Sequence, residues 1–225
     1  MASELIRVEN LEKIYQDNGV PVQALRGINL TVNKGEFLVI AGPSGSGKTT
    51  LLNLLGALDK PTVGKVFLEN EDLSLKSKSE LSSLRLNRMG FIFQAYNLIP
   101  VLTAMENIEF SMMLLGITEK ERRKKALELM DELGIKELAN KRPNEMSGGQ
   151  QQRVAVARAM VNNPSIILAD EPTANLDSTT GGLLLDLMQQ MNKEKNITFI
   201  FSSHDKQVMD RAGRLIILKD GKIAE

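Results

Sequence analysis

The chain has 225 residues with 28 basic and 28 acidic side chains, so its formal net charge is zero, which removes the electrostatic reason to expect nucleic acid or an anionic membrane surface as its main partner. It has no cysteine and a single histidine, His204, which excludes a disulfide framework and thiolate metal sites and fits a reducing compartment. No stretch approaches the roughly 18 consecutive apolar residues of a membrane-spanning helix, and "MASELIRVEN" lacks the basic-then-apolar pattern of a secretion signal.

In chain order, "INLTV" (28–32) alternates apolar and polar residues and predicts a half-exposed strand, expected in a small antiparallel sheet with "KVFLEN" (65–70). "FLVIAG" (37–42) is a continuous apolar run, and so are "GFIF" (90–93), "SIILAD" (165–170), "ITFIFS" (197–202) and "LIIL" (215–218). Bounded by Gly, Pro or Asp and separated by helical patterns, these runs predict strands of a parallel sheet buried on both faces. Between about 95 and 160 the strand signal stops. Thr118 with Glu121 forms a capping-box start, followed by Ala126, Met130 and Leu133 at helical spacing. The basic run "RRKK" (122–125), with acids on both sides, reads as a solvated helix face. The expected organisation is an α/β core formed by 1–94 and 161–225 with a helical insertion over about 95–160.

Directly after "FLVIA" stands "GPSGSGKTT" (42–50), which fits G-x-x-x-x-G-K-[ST] and opens the helical pattern "KTTLLNLLGAL". Glycines at 42, 45 and 47 let successive backbone N–H groups curl around a phosphate, and the helix N-terminus adds partial positive charge. The candidate nucleotide contacts are Gly42, Ser44, Gly45, Ser46, Gly47, Lys48, Thr49 and Thr50. Lys48 is placed to reach β- and γ-phosphates and the Thr49 hydroxyl to ligate Mg²⁺.

The run "IILADE" ends in Asp170 and Glu171, two acids at the carboxyl edge of a buried strand, where open α/β sheets bind ligands. Asp170 is expected to hold Mg²⁺ through its water shell, and Glu171 to act as general base on the attacking water. "ITFIFSSH" delivers His204 to the same edge, where an imidazole can hydrogen-bond the γ-phosphate and the water. A second glycine pair, "MSGGQQQ" (146–152), opens the helical pattern "QQQRVAVARAM". Its backbone N–H groups make an anion site with no catalytic side chain, or simply a helix cap.

Together these motifs resemble the ATP-binding-cassette ATPases, in family order and over essentially the whole chain. "GPSGSGKT" resembles Walker A, "IILADE" resembles Walker B with the catalytic glutamate, and "MSGGQ", with Ser147, Gly148, Gly149 and Gln150, resembles the signature motif. Tyr15 is similar to the aromatic that stacks on adenine. Gln94 is similar to the glutamine that senses Mg²⁺ and γ-phosphate, "ANLD" (174–177), ending in Asp177, to the loop that crosses to a partner subunit, and His204 to the switch histidine. Met146 replaces the usual leucine, a volume-conserving change, and Asn175 occupies a variable position. The resemblance implies one ATP-hydrolysing domain with a P-loop core, a mostly parallel sheet, a small antiparallel β subdomain and a helical subdomain. Its cofactors would be ATP and Mg²⁺. It further implies a head-to-tail dimer in which Ser147 and Gly149 of one chain meet the γ-phosphate held by the other.

The function implied is the cytoplasmic ATP-binding subunit of a membrane transporter, peripheral on the inner face of the membrane. Its integral membrane partner is expected to dock on the apolar stretch "YNLIPVL", from Tyr96 to Leu102. "FQAYNLIPVLTAMENI" is similar to the subgroup serving lipoprotein release, macrolide-type efflux and cell division, so export is the first reading and a mechanical signalling complex that moves no solute the alternative. A cassette of DNA repair or translation is disfavoured by the lack of a long coiled-coil insertion and of a second cassette. GTP is disfavoured because "NKEK" (192–195) lacks the aspartate of a guanine-reading N-K-x-D motif.

Overall fold

The computed structural model describes residues 3–17 and 19–224. Two sheets organise it. One contains β1 (Glu4–Asp17), β2 (Val20–Asn33), β4 (Val63–Leu68) and β5 (Glu71–Asp72) in the order β2-β1-β4-β5, all antiparallel. The other has the order β10-β9-β3-β8-β7-β6, built from β3 (Phe37–Ala41), β6 (Met89–Ile92), β7 (Ile166–Asp170), β8 (Thr198–Ser203), β9 (Arg214–Lys219) and β10 (Lys222–Ala224). The five strands from β9 to β6 are parallel, and only the edge strand β10 runs antiparallel.

The apolar runs at 37–42, 165–170 and 197–202 become β3, β7 and β8, and every residue of β3 and β8 is buried. The stretches 28–32 and 65–70 share the antiparallel sheet as expected, with β1 lying between them and pairing with both. One expectation needs correction. "LIIL" forms β9, yet Leu215 and Ile217 are 46% and 41% exposed, because only one face of this near-edge strand is covered. β1 itself is hard to see in the sequence. Register shifts between Glu4 and Ile6, Val8 and Leu11, and Leu11 and Ile14 break the two-residue period that would advertise it.

Alternation along the parallel strands divides the core into two layers. Leu38, Ile40, Leu168 and Ile200 face α1 (Lys48–Leu55), α2 (Lys78–Arg88) and the antiparallel sheet. Phe37, Val39, Ile167, Phe199 and Phe201 face α5 (Gly148–Met160) and α6 (Ser178–Lys195). This second layer continues through α5 into α3 (Ala104–Leu114) and α4 (Glu119–Glu132), so the helical lobe shares its apolar core with the sheet. A four-residue helix, α7 (Lys206–Met209), follows β8. Among the described residues no helix is long and apolar enough to cross a membrane.

The helix starts follow capping chemistry. Ser77, Thr103 and Ser147 each accept from the third amide of their helix while a Glu or Gln side chain returns the bond. Thr118 departs from the expected box. It does precede α4, but its hydroxyl donates to the Glu121 carboxylate at 2.8 Å and accepts no cap amide.

The loop between β6 and α3 is fastened from inside by Asn107, which is fully buried. Its Oδ1 accepts from the Ile99 amide at 2.7 Å, and its Nδ2 donates to the carbonyls of Ile99, Leu102 and Thr103 at 3.2, 3.2 and 2.9 Å. Removing that amide strands several buried backbone groups, so Asn107→Ala should lower the unfolding free energy by about 3 kcal/mol. The check is a denaturant midpoint that falls with unchanged slope; an unshifted midpoint would show that the loop does not depend on this side chain.

Candidate functional site

The carboxyl ends of β3, β7 and β8 lie side by side, in parallel register that pairs Ala41 with Ser203 and Asp170 with Ser202. From this edge the chain emits the glycine-rich loop after β3, the acids after β7 and His204 after β8. The loop turns into α1 through Gly47, whose φ of 100° is left-handed. A Cβ there would sit 2.6 Å from the Ala24 carbonyl oxygen, so both conformation and space require glycine. No side chain caps α1 and no acid stands in its first turn, which leaves its leading N–H groups available to an anion. Lys48 is buried and folds back on the loop, donating to the carbonyls of Gly42 and Pro43 at 2.8 and 3.0 Å.

The two acids are held by hydroxyls. Asp170 accepts from the Thr49 hydroxyl at 3.1 Å and from the Ser202 hydroxyl. Glu171 adopts φ 45°, a left-handed conformation that a non-glycine residue takes at a cost of about 1–2 kcal/mol. The turn is supported by its amide, which donates to the Ser202 carbonyl at 3.0 Å. One carboxylate oxygen of Glu171 accepts from the Ser203 hydroxyl at 3.1 Å, and the other lies 2.7 Å from Nδ1 of His204. Glu171 is mostly covered, with 15% of its side chain exposed, whereas His204 has 70% exposed and so faces the space in front.

That space is a cavity of about 610 Å³ lined by Ser44, Gly45, Gly47, Lys48, Thr49, Thr50, Gln94, Glu171 and His204. Its remaining wall is Val22, Gln23, Ala24 and Arg26 of β2 with Asp220 and Gly221 of the β9–β10 turn. No functional signal for that wall is legible in the residues themselves. The roles of Ser202 and Ser203 were hidden as well, although the hydroxyl pair in "FSSH" directly before His204 was a readable clue.

Several expected residues lie outside this cavity. Tyr15 is absent from its lining. Its hydroxyl donates to Asp59 at 2.9 Å, and the Lys13 ammonium stands 4.8 Å from its ring centroid. Burial, followed by the bond to the Asp59 carboxylate, pushes the Tyr15 phenol above its ordinary value. Gly42, Ser46 and Asp170 are not part of the lining, and the buried Ser46 hydroxyl has no hydrogen-bond partner among the described residues. Ser147, Gly148, Gly149, Gln150 and Asp177 do not line it either. Ser147 caps α5 reciprocally with Gln150, and Cβ atoms on Gly148 and Gly149 would meet the Tyr96 hydroxyl at 2.8 Å and the Thr180 methyl at 2.6 Å. Within one chain, then, "SGG" is both a helix cap and a point of close packing.

The profile of the ABC transporter family matches residues 25–174. An uncharacterized ABC transporter ATP-binding protein of Methanocaldococcus jannaschii, MJ0796, is 45% identical over 97% of this chain and 95% of its own. The macrolide export ATP-binding/permease protein MacB of Brucella melitensis is 46% identical over 97% of this chain, which spans only 34% of that longer protein. Among solved structures, a dimeric MJ0796 cassette superposes with a TM-score of 0.92 at 44% identity, covering 98% of this chain and 97% of the other. A second, dimeric MJ0796 in a post-hydrolysis state bound to ADP and phosphate, matches equally well.

Asp177 caps α6, accepting from the Thr180 hydroxyl and from the Thr179 and Thr180 amides. These donors, the Thr180 hydroxyl first, hold its carboxyl below the ordinary aspartate value. A lowered folded-state pKa means that the cap stabilises α6 fully above the ordinary aspartate range of about 4 and is lost as pH falls through the lowered value. A carboxyl NMR titration should place the Asp177 midpoint below that of an unstructured aspartate; a midpoint at or above it would refute the cap.

Proposed function

Because the chain belongs to the ABC transporter family and is an ATPase of that family, we propose that it binds ATP on the loop 42–50 and hydrolyses it with Glu171 as general base. The observation that carries this reading is the Glu171–His204 pair, 2.7 Å apart, facing the same cavity as Lys48 and Thr49.

The proposed chemistry follows from the groups present. The phosphates lie on the N–H groups of the loop and of the first turn of α1, and Lys48 exchanges the carbonyls of Gly42 and Pro43 for β- and γ-phosphate oxygens. Among the described residues no three His, Asp or Glu side chains gather into a metal cage. The Thr49–Asp170 pair, with Gln94 on the cavity wall, instead fits Mg²⁺, which takes few protein ligands and completes its shell from phosphates and water. An ion held there would supply neutralisation of charge on the phosphates. Glu171 takes a proton from the attacking water as its oxygen bonds to the γ-phosphorus, and the bond to the ADP oxygen breaks. With its Nδ1 on Glu171, His204 has Nε2 left for a γ-phosphate oxygen, while Ser203 fixes the other oxygen of Glu171.

Two further roles depend on other chains. We assign Ser147, Gly148, Gly149, Gln150 and Asp177 to the nucleotide site of a second, head-to-tail copy. Their absence from the lining of this chain's own cavity supports that assignment, as do the dimeric MJ0796 structures. Tyr15 is assigned to the adenine. We assign the groove beside residues 96–102 to an integral membrane subunit. Phe91, Phe93, Leu86 and Leu114 line a cavity of about 430 Å³ there, and Val101 is 73% exposed next to it in sequence. The MacB relatives, which carry ATP-binding and permease parts in one protein, support an export role at the cytoplasmic face of a membrane.

Glu171→Gln should leave ATP binding intact and slow hydrolysis by about 10²–10⁴-fold, with an ATP-bound dimer accumulating in size-exclusion chromatography. Undiminished turnover would sink the base assignment. Ser147→Arg should block that dimer in the Glu171→Gln background without changing nucleotide affinity of the monomer; loss of monomer affinity would place Ser147 in its own chain's site.

A further inference from the structure

The peptide segment that follows Gln94 is gripped by side chains from two other motifs. Asn175, four residues after Glu171, donates through Nδ2 to the Gln94 carbonyl at 2.9 Å. Arg158, near the end of α5, donates to the Tyr96 carbonyl at 2.8 Å and to the Asn97 carbonyl at 2.5 Å. Tyr96 and Asn97 both have left-handed backbones, with φ of 58° and 49°, a conformation that an asparagine tolerates and that a bulky tyrosine rarely adopts. Arg158 bonds both of their carbonyls at once. The Tyr96 hydroxyl, reaching the other way, abuts Gly148 at the opposite end of α5.

One short segment is therefore tied to the glutamine on the cavity wall, to the loop behind Glu171 and to both ends of the helix that begins at Ser147. Arg158 also lines the apolar groove beside residues 96–102. We infer that Arg158 and Asn175 are positioning residues for hydrolysis, which hold Gln94 in register with Glu171 and with the first turn of α5. Neither side chain lines the nucleotide cavity, so each acts through the backbone it grips. A guanidinium suits this role because its planar fork serves two carbonyl oxygens at once, which a lysine ammonium does with poorer geometry. The inference rests on the hydrolytic reading of the site.

The test uses the full chain, with steady-state ATP turnover and fluorescent ADP binding measured for Arg158→Gln, Arg158→Lys and Asn175→Ala. Arg158→Gln should lower kcat at least tenfold with ADP affinity within twofold of the unsubstituted chain, because the phosphate loop is untouched. Arg158→Lys should recover less than half of that loss. Asn175→Ala, at an exposed side chain, should fold normally and lower kcat about threefold, and the double variant Arg158→Gln/Asn175→Ala should be no slower than Arg158→Gln alone. Values of kcat within twofold for both single variants, a parallel loss of ADP affinity, or full recovery with lysine would overturn the inference. If Arg158→Gln did not fold, Asn175→Ala alone would decide it. An unsubstituted chain that bound ATP without turning it over would overturn the hydrolytic reading, and this one with it.

Discussion

The parallel register of β3, β8 and β7 is the constraint on which the site depends. Ala41 pairs with Ser203 and Ser202 with Asp170, so the strand carrying the phosphate loop and the strand carrying the acids end at one level, on either side of two buried hydroxyls. A slip of one residue in either pair would turn those hydroxyls to the opposite face and bury acids among Phe199, Phe201 and their neighbours. The apolar layers on both faces forbid that slip, because each strand fits its alternating contacts in only one register. Core packing thereby sets the position of polar groups that lie at the margin of the core.

The same logic accounts for the strained backbone at Glu171. A residue continuing β7 in extended form would carry its side chain onward past the sheet, whereas the left-handed turn at φ 45° directs it back toward Ser203 and His204. The unfavourable conformation is held by the hydrogen bond from the Glu171 amide to the Ser202 carbonyl and by the side-chain contacts to Ser203 and His204. Other non-glycine residues share this left-handed backbone, Asp220 after β9 among them, but at Glu171 it falls on the carboxylate that meets His204 in the cavity beside Lys48 and Thr49.

Much of this was legible in the residues. Buried parallel strands advertise themselves as unbroken apolar runs, and the loop 42–50 has a composition and context that few other structures use. β1 was obscured by its register shifts, and the neighbours of β2 and β4 could not be paired without it. Thr118 matched a capping box by spacing, but spacing does not decide whether a hydroxyl turns to an amide or to a carboxylate. The contacts of Asn107, Arg158 and Asn175 are made to backbone carbonyls or amides. Such partners have no residue identity, so no motif can announce them. Asn175 illustrates the limit: as a letter in "ANLD" it carried no meaning, and in the fold it grips Gln94.

The second glycine pair gains its meaning from the same accounting of hydrogen bonds. A capping serine uses a lone pair of its oxygen to accept from the Gln150 amide, while its O–H hydrogen stays free to donate. Gln150 likewise returns its carbonyl oxygen to the Ser147 amide and keeps its two amide hydrogens. The N-terminus of α5 is thus rigid as a cap and still rich in unassigned donors, beside N–H groups that the helix itself leaves unpaired. Packing against Tyr96 and Thr180 fixes where those donors point. A flexible glycine loop would have to be ordered by its ligand at an entropic cost, whereas a capped helix presents its donors already ordered. On the proposed reading the cap and the anion site would be one structure: the bonds that satisfy the helix within this chain would also hold its free donors ready for a phosphate carried by a second copy.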